Sequence, residues 1–595
     1  MDTIRDFFTK LILFIQEFFT EIGFDNIDGA EMLYTAIARW VFILLAIFIV
    51  SKSIASLLRS RSAPEVFAYL NINGKKTYPI THWENSIGRA RSSDLRITDD
   101  PAISRVQGTL TRDDKGNWKY TDMGSSNGTV VNGEILRKDE YSYVENGDEI
   151  IMGDTSCTIL PVSLEEQRNN RAMRRSETFL LSPWTSLLAL SLFQIMTVVQ
   201  LQVSLGEAFS KSIVVGFVGL MILMWVYVIT LRTAGQRGFD MEMLAFFLST
   251  MGLAVTASKY PEGVLKQFIA TGIGVALFVA MCVFMRNLDR SKAVRKYLYI
   301  LAAIALLINL VLARNIQGAH NWIEIGGLSI QPSEMVKLAF IWVGAASLDE
   351  LMERRNTLIF MGFSFFCFAC LAVMNDFGTA LIFFGSFLVV SFLRNGDFTK
   401  LILVVGVAFV GGMLVLRFKS HVAARFDAWG KVWDYADSLG YQQTRTMSAA
   451  ASGGLIGVGA GNGWLKNIAA SETDLVFGFV TEEWGLIIAA MAVMSIITLS
   501  VFAFRSIMNG RSTFYTIAAC SAMSLFLFQT VLNVFGSVDL FPLTGVTFPF
   551  LSTGGTSMVA SWGMLAFVKA ADNRQGASVA VKESKLIASR EEDDA

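Results

Sequence analysis

The sequence predicts a polytopic α-helical membrane bundle of about twelve spans plus one N-terminal span, with an inserted all-β sandwich. Hydrophobic residues make up 53% of the 595 residues, and the mean hydropathy is +0.48, so the chain is more apolar than ordinary soluble domains. Charged residues are concentrated in one segment, in short loops and at the C-terminus, which leaves long uncharged runs between them. Residues 65–163 differ from the rest, because short stretches of alternating apolar and polar residues are separated by Asn-Gly pairs there.

Net charge and cysteine content identify no partner. The formal net charge is −1, and no nucleic-acid partner is expected. Of the five cysteines, Cys157 falls in the β segment and the others lie in apolar runs, so the sequence predicts no set of disulfide bonds. Cys367 and Cys370 have CxxC spacing, but inside an apolar run two small hydrophobic residues are the ordinary interpretation.

The N-terminal region contains one predicted span. Residues 1–35 carry more acidic than basic residues and precede an apolar run at 36–58, which has the length of a spanning helix. This run lies too late in the chain for a signal peptide. Arg59 and Arg61 follow it, and basic residues next to a span mark the cytoplasmic side. Residues 1–35 are therefore predicted to be extracytoplasmic, and the β segment at 65–163 cytoplasmic.

A basic linker at 164–180 leads into a predicted multi-span membrane domain at 181–572. Arginines and lysines of alternate loops fall on the side shared with the β segment, as the positive-inside rule requires. The remaining loops face outward, the longest at 418–474, and a charged tail at 573–595 is predicted in the cytoplasm. The apolar runs lie near residues 181–203, 212–231, 241–258, 265–285, 297–313, 334–349, 357–374, 379–393, 400–417, 475–503, 512–536 and 555–572.

Three motifs mark the β segment: Gly88-Arg89, then Ser104-Arg105-Val106-Gln107, then Ser126-Asn127-Gly128. In order and spacing they resemble a forkhead-associated (FHA) domain, with Gln107 in place of the usual His. The resemblance implies binding of a phosphothreonine protein or of the target of a Ser/Thr kinase. Arg89 and Ser104 would contact the phosphate with Ser126 beside them, and Asn127 would hold the peptide backbone.

The chemistry of these residues agrees with that interpretation. A dianionic phosphate needs a guanidinium together with hydroxyl and amide donors on loops held by a rigid sheet. The alternative is that Asn127 and Gly128 only form a turn.

Ionisable side chains in or beside the apolar runs gather on the predicted outward side. They are Glu334, Lys337, Asp376 and Asp474, followed by the pair Glu482-Glu483. Such residues are costly in a membrane and are therefore candidates for function. The structural alternatives are an internal Glu334–Lys337 ion pair and interfacial anchors.

Five signatures contain or flank these residues. They are Gly318-Ala319-His320-Asn321-Trp322-Ile323, Gln331-Pro332-Ser333-Glu334, Asp376-Phe377-Gly378-Thr379, Glu472-Thr473-Asp474 and the stretch from Gly545 to Ser557. In this order they resemble the FtsW/RodA/SpoVE (SEDS) family over residues 181–572. The chain departs from the family pattern at Glu472, where His is usual, at Asn321 and Asn375, and in having two spans more than the usual ten.

The resemblance implies a peptidoglycan glycosyltransferase that polymerises lipid II at the outer face of the bacterial cytoplasmic membrane. Its partners would be a class B penicillin-binding protein and other divisome or elongasome proteins. The setting could be division, elongation or sporulation. The rival interpretations are a lipid-linked precursor flippase or transporter, and a non-catalytic scaffold of the division complex.

Glycan polymerisation needs one general base and positive charge for a pyrophosphate leaving group. The resemblance assigns the base to Asp474. Lys337, Arg425 or a divalent cation (Mg or Mn) held by Asp376 and Glu334 could stabilise the leaving group. Further candidate substrate contacts are Trp322, Thr379, Gln442 and Glu472. A glycine-rich stretch from Gly453 to Gly463 is expected to let the outer loop bend over substrate.

Overall fold

The computed structural model describes residues 27–59, 65–91, 93–113, 116–138, 140–177, 180–316, 319–325, 328–348, 354–395, 398–508, 512–572, 574 and 576–580. Most of the predicted N-terminal segment, most of the predicted tail and Gly318 lie outside these ranges. The described residues form a helical bundle and a β sandwich, which confirms the predicted fold class.

The β segment forms a two-sheet sandwich. One sheet has six strands in the order β2-β1-β11-β10-β7-β8 and the other has five in the order β4-β3-β5-β6-β9. All neighbours pair antiparallel except β3 and β4. The strands are β1 (Ala68–Ile72), β2 (Lys76–Ile80), β3 (Glu84–Gly88), β4 (Leu95–Arg96), β5 (Gly108–Arg112), β6 (Trp118–Asp122), β7 (Thr129–Val131), β8 (Glu134–Leu136), β9 (Tyr141–Val144), β10 (Glu149–Met152) and β11 (Thr155–Leu160).

Two of the Asn-Gly pairs, Asn73-Gly74 and Asn132-Gly133, lie in hairpin turns as predicted, whereas Asn127-Gly128 and Asn146-Gly147 connect strands of different sheets. Asn73 and Asn132 have φ of 51° and 49°, and the glycine after each also has positive φ. Asn and Gly adopt this left-handed region at little cost, so the sequence selects tight turns there, with two loop residues at 132–133 and three at 73–75. Inward-facing residues such as Leu70, Ile87 and Ile150 form a separate hydrophobic core between the sheets.

All thirteen predicted apolar runs contain a helix. The helices are α1 (Ile27–Arg59), α2 (Leu164–Glu177), α3 (Trp184–Leu205), α4 (Lys211–Thr233), α5 (Asp240–Lys259), α6 (Val264–Phe284), α7 (Leu288–Ala293), α8 (Arg295–Leu312), α9 (Pro332–Leu348), α10 (Arg354–Val373), α11 (Phe377–Asn395), α12 (Phe398–Phe418), α13 (Ser420–Ala428), α14 (Tyr441–Gly453), α15 (Val476–Trp484), α16 (Leu486–Met508), α17 (Thr513–Ser537) and α18 (Gly555–Ala570).

The number of full-length spans is smaller than the number of apolar runs. Among the described residues, ten helical segments are long and apolar enough to cross a membrane, the N-terminal one included. The other three runs form α9, α11 and α18, whose apolar parts are shorter than the ~20 residues of a straight span.

The run predicted as one span at 475–503 is two helices. Gly485 separates the short buried helix α15 from α16, with φ of 88°. A Cβ on Gly485 would lie 2.3 Å from the carbonyl oxygen of Leu455. The break therefore comes from a close backbone approach, which hydropathy alone does not reveal.

Both predicted flanking segments contain more structure than the sequence indicated. The basic linker includes the helix α2. At the C-terminus, Arg574 is buried and its guanidinium pairs with Asp572 at 2.8 Å and approaches Asp240 at 3.7 Å. The first described residues of the predicted tail therefore pack against the bundle.

The predicted outer loops are also structured. The strands β12 (Arg314–Ile316), β13 (Ala319–Ile325) and β14 (Leu328–Ile330) form a three-stranded antiparallel sheet. The loop 418–474 contains α13, α14 and a short 3-10 helix at 465–467.

The sandwich and the Asp474 region lie at opposite ends of the bundle. Glu84 of the sandwich accepts a hydrogen bond from Thr513 at the start of α17, at 2.5 Å. Twenty residues later in α17, Asn533 donates to the carbonyl oxygen of Asp474 at 3.0 Å. At 1.5 Å per residue this helix separates the two points by about 30 Å, the thickness of a hydrocarbon core.

Candidate active site

The structure brings the five signatures together at one end of the bundle. Asn321 donates to Asp376 at 2.9 Å, and the Gln331 amide donates to Thr556 at 3.4 Å. The Thr553 amide donates to the carbonyl oxygen of Glu472 at 2.9 Å. Contacts between residues up to 225 positions apart in sequence thus form one site.

The backbone around Asp474 is fixed by side chains of neighbouring elements. The side-chain Nδ2 of Asn533 donates to the carbonyl oxygens of Asp474 and Val546, at 3.0 and 2.7 Å. Ser552 donates to the carbonyl oxygen of Thr473 at 2.7 Å. Asp474 therefore has a defined position in a turn before α15, outside the spanning helices.

The Asp474 carboxyl group is partly buried. Burial raises its pKa from 3.8 to about 6, while a hydrogen bond from Thr473 and the positive charge of Arg425 act in the opposite direction. The charges of Glu472 and Asp376 raise the pKa further. A carboxylate with a pKa near 6 is ionised at neutral pH and is a stronger base than an exposed one.

Gly545 lies directly against this carboxyl group. Its φ is 71°, and a Cβ there would be 3.2 Å from Asp474 Oδ2. Any larger residue would be strained and would crowd the carboxylate, so the space beside Asp474 depends on this glycine.

Asp376 and Thr379 cap a helix next to the site. Asp376 directly precedes α11, and its Oδ1 accepts a hydrogen bond from the Thr379 amide at 3.1 Å. Its other oxygen accepts from Asn321. Asp376 thus has a structural role as the N-cap, and its negative charge also acts on Asp474.

Glu334 and Lys337 form the internal ion pair that was the structural alternative. Lys337 Nζ lies 2.7 Å from Glu334 Oε1, and both side chains are buried. The two residues are one helical turn apart at the start of α9.

These carboxylates do not fit a metal site well. The ammonium of Lys337 already neutralises Glu334, and both oxygens of Asp376 accept hydrogen bonds from the protein. Across the described ranges, no group of three or more His, Cys, Asp or Glu side chains could hold a metal ion. A pair of engaged carboxylates gives a hard divalent cation too few free oxygen ligands.

The other predicted contact residues lie on the segments around Asp474. Arg425 is an exposed residue of α13, and its Nη1 donates to the carbonyl oxygen of Leu543 at 3.1 Å. Gln442 of α14 donates to the carbonyl oxygen of Ala469 at 2.9 Å. Trp322 is a half-buried residue of β13 next to Asn321.

Several buried polar atoms in this part of the bundle have no hydrogen-bond partner within the described protein. Such atoms are rare in native proteins, and they can bond to water or to the polar groups of a substrate. They are Asn321 Oδ1, Glu334 Oε2, Gln529 Oε1, Asn533 Oδ1 and Thr544 Oγ1.

The glycine-rich stretch packs closely instead of forming a flexible flap, so the expectation that it bends over substrate is wrong. A Cβ on Gly453 would lie 2.3 Å from the carbonyl oxygen of Thr481, and one on Gly457 would lie 2.4 Å from that of Glu483. Glu482 accepts hydrogen bonds from the amides of residues 464 and 465, and Glu483 accepts from the amide of Gly461. The acidic pair thus anchors the stretch.

The predicted phosphopeptide residues lie on adjacent loops of the sandwich. The Arg89 amide donates to the carbonyl oxygen of Ser104 at 3.0 Å, and the Ser126 amide donates to Ser104 Oγ at 2.9 Å. Asn127 donates to the carbonyl oxygen of Ala102 at 2.8 Å. Arg89, Ser126 and Asn127 are exposed and Ser104 is half-buried, so they present one polar surface.

Gln107 is buried and supports this surface from below. Its Oε1 accepts from the Ser104 amide at 2.8 Å, and its Nε2 donates to the carbonyl oxygen of Gly128 at 3.0 Å. The glutamine therefore bridges the Ser104 loop to the 126–128 loop.

Comparison with known families decides the identity of the bundle. Residues 237–575, more than half of the chain, match the FtsW/RodA/SpoVE family, described as cell cycle protein. The chain belongs to this family. Residues 85–153 match the FHA domain, so this SEDS-family membrane protein carries an FHA domain before its family region.

Two relatives show the degree of similarity. The probable peptidoglycan glycosyltransferase FtsW of Bacillus subtilis is 28% identical over 337 residues, covering 52% of this chain and 83% of the relative. The peptidoglycan glycosyltransferase RodA of Mycobacterium tuberculosis is 29% identical over 329 residues, covering 51% of this chain and 69% of the relative. The crystal structure of Thermus thermophilus RodA has 22% identity and a TM-score of 0.42, covering 56% and 94% of the two chains.

The family match also locates the additional spans of this SEDS protein. It begins at residue 237, after α3 and α4. Within the matched region the described helices of at least 16 residues are α5, α6, α8, α9, α10, α11, α12, α16, α17 and α18. The α3–α4 pair and α1 are therefore additions on the N-terminal side.

Three residues of the SEDS site were not predicted individually from the sequence. Asn533 and Gly545 hold or border Asp474, and Lys259 pairs with Glu472 at 2.5 Å. Gly545 is the first residue of the signature that runs to Ser557, so the signature was the signal that could have identified it. Lys259 and Asn533 lie at the ends of apolar runs, where a polar residue is usually read as an interfacial anchor.

Proposed function

We propose that this protein is a peptidoglycan glycosyltransferase that polymerises lipid II into glycan strands, with Asp474 as the general base. Its membership of the FtsW/RodA/SpoVE family supports this activity, because both relatives described above are named as such enzymes. The observation that carries the proposal is the partly buried Asp474 carboxyl group, whose pKa burial raises to about 6.

The reaction joins the 4-hydroxyl oxygen of one lipid-linked disaccharide to the anomeric carbon of another. The bond between that carbon and the pyrophosphate oxygen breaks, and the pyrophosphate leaves with the bonding electrons. The hydroxyl proton passes to the Asp474 carboxylate, because a hydroxyl is a poor nucleophile until a base accepts its proton. Direct attack inverts the configuration at the anomeric carbon.

The leaving pyrophosphate needs positive charge, not a protonating acid. Arg425 is suited to this role, since it is exposed and close enough for its charge to lower the pKa of Asp474. Lys337 is a weaker candidate, because its ammonium is buried against Glu334. The buried oxygens of Asn321 and Thr544 have no hydrogen-bond partner within the described protein, and the sugar hydroxyls are their proposed partners.

The proposed orientation places the Asp474 end outside and the FHA domain in the cytoplasm. The basic loops of the sequence support this orientation through the positive-inside rule. A class B penicillin-binding protein is the proposed partner, since glycan strands made outside must be cross-linked there.

The FHA domain is proposed to bind a phosphothreonine-containing protein. The support is the exposed surface of Arg89, Ser126 and Asn127 with Ser104 at its centre. A guanidinium, two hydroxyls and backbone amides on adjacent loops match the needs of a phosphate dianion.

The enzymatic proposal is tested with the purified full-length chain, its penicillin-binding protein partner and lipid II. The wild type should yield glycan polymer, and Asp474→Ala should lower the rate by at least about 100-fold. Asp434→Ala is the matched control, because it removes an exposed acid of the same loop. Transport of lipid II across vesicles without polymer would instead support the flippase alternative, and neither activity would support the scaffold.

The FHA proposal is tested on the full-length chain in detergent with a phosphothreonine peptide library. Binding should need the phosphate and should be lost in Arg89→Ala but kept in Lys75→Ala, which removes an exposed charge on a different hairpin. Binding that survives Arg89→Ala would remove this surface as the site.

A further inference from the structure

Lys259, the last residue of α5, holds the segment that carries Asp474. Its Nζ donates to Glu472 Oε2 at 2.5 Å, to the carbonyl oxygen of Ile468 at 2.7 Å and to Ser471 Oγ at 3.0 Å. The Lys259 and Glu472 side chains are only 8% and 12% exposed. An ammonium with three oxygen partners in so little solvent keeps one orientation.

The helix behind Lys259 is a rigid support. Residues 240–258 of α5 are all buried in the bundle. At its inner end Glu242 pairs with Lys569 of α18 at 2.9 Å. Near its outer end the hydroxyl of Thr256 hydrogen-bonds the hydroxyl of Thr553 at 2.8 Å. The end of α5 is therefore fixed relative to the bundle.

Residue 472 is held from two sides. Its carboxylate binds Lys259, and its carbonyl oxygen accepts the Thr553 amide at 2.9 Å. Asp474 follows two residues later, so the clamp on Glu472 limits where the Asp474 carboxylate can point.

The ion pair also matters for the charge around Asp474. Besides burial, the hydrogen bond from Thr473 and the charge of Arg425 lower the pKa of Asp474, and the charges of Glu472 and Asp376 raise it. Glu472 itself faces Lys259 and Tyr260, and the pKa of Tyr260 is raised by burial and by the charge of Glu472. Glu472 stands where the family usually has His, so this chain has an extra negative charge next to its acid, and Lys259 is the cation that offsets it.

We propose that Lys259, acting through its ion pair with Glu472, is a positioning residue that orients the Asp474 carboxylate for proton abstraction. This inference rests on the proposed glycosyltransferase activity. It also gives Glu472 a role in holding the segment instead of contacting substrate.

The test compares the pH dependence of lipid II polymerisation in wild type, Lys259→Met, Lys259→Arg and Glu472→Gln, using the full chain with its penicillin-binding protein. Lys259→Met should lower kcat by roughly 10- to 100-fold with KM changed little. Lys259→Arg should restore most of the rate, since a guanidinium can donate to the same oxygens. Lys266→Met, which removes an exposed lysine of α6, should have no effect.

The pH profile separates positioning from a purely structural role. Lys259→Met leaves the Glu472 charge uncompensated, so the acid limb should move to higher pH. Glu472→Gln removes that charge, so the limb should move to lower pH. Gel filtration of each variant checks that it is folded.

Each outcome bears on a different claim. If the wild type makes no polymer, the proposed function falls and this inference falls with it. If the wild type is active and a folded Lys259→Met variant keeps the wild-type kcat and pH profile, the inference alone is overturned. The inference is also overturned if Lys259→Met loses kcat while Lys259→Met and Glu472→Gln both keep the wild-type pH profile.

Discussion

Replacing Asp474 with Asn should make the protein more stable while removing its activity. The pKa of this carboxyl group is raised from 3.8 to about 6, chiefly by burial. One pKa unit corresponds to about 1.4 kcal/mol, so the ionised carboxylate costs the folded state up to about 3 kcal/mol. Asparagine has nearly the same shape and carries no charge, so it removes this cost.

The size of this stabilisation depends on pH. The folded state binds a proton at Asp474 more tightly than the unfolded state does. The cost of the carboxylate is therefore fully present above about pH 7, decreases as pH falls from about 7 to about 4 and has nearly disappeared at about pH 4. The variant should be more stable than wild type at pH 8 and indistinguishable from it at pH 4.

Thermal unfolding of both proteins in the same detergent at pH 8 and at pH 4 measures this difference. Asp434→Asn is the control, because its exposed carboxylate should leave the unfolding temperature unchanged at both values of pH. An Asp474→Asn variant that is less stable than wild type at pH 8, or that shows the same difference at pH 4, would refute the reasoning.

Three further predictions concern other parts of the molecule. Gly545→Ala should reduce the polymerisation rate at least about tenfold, because the added Cβ crowds Asp474. Gly430→Ala should leave the rate unchanged in the same assay, because Gly430 also has positive φ but has no neighbour within 4 Å of an added Cβ. Lys569→Met should destabilise the protein by about 3–5 kcal/mol, measured by thermal unfolding, because Glu242 would be left buried and unpaired with a cation. Gln107→Ala should weaken phosphopeptide binding about tenfold in a titration, by freeing the Ser104 loop.

Much of the fold was predictable because it depends on local patterns. Apolar runs of span length became helices, and Asn73-Gly74 and Asn132-Gly133 became hairpin turns. These features follow from the composition of a few neighbouring residues. The break at Gly485 was not predictable, because it arises from a contact with Leu455, thirty residues earlier in the chain.

The site was predictable only in part. The signatures pointed to Asp474, but the partners that position it come from distant elements. Lys259 and Glu472 are 213 residues apart, and no periodicity or spacing connects them. The unusual Glu at position 472 was the available signal, since a carboxylate in a half-buried site requires a cation nearby.

The pH dependence of the polymerisation rate tests the central claim most directly. If Asp474 accepts the proton, kcat for lipid II polymerisation by the wild type should fall about tenfold per pH unit below an apparent pKa near 6. The rate should be independent of pH between about 7 and 8. A rate that stays constant down to pH 5 would contradict the assignment of Asp474 as the base.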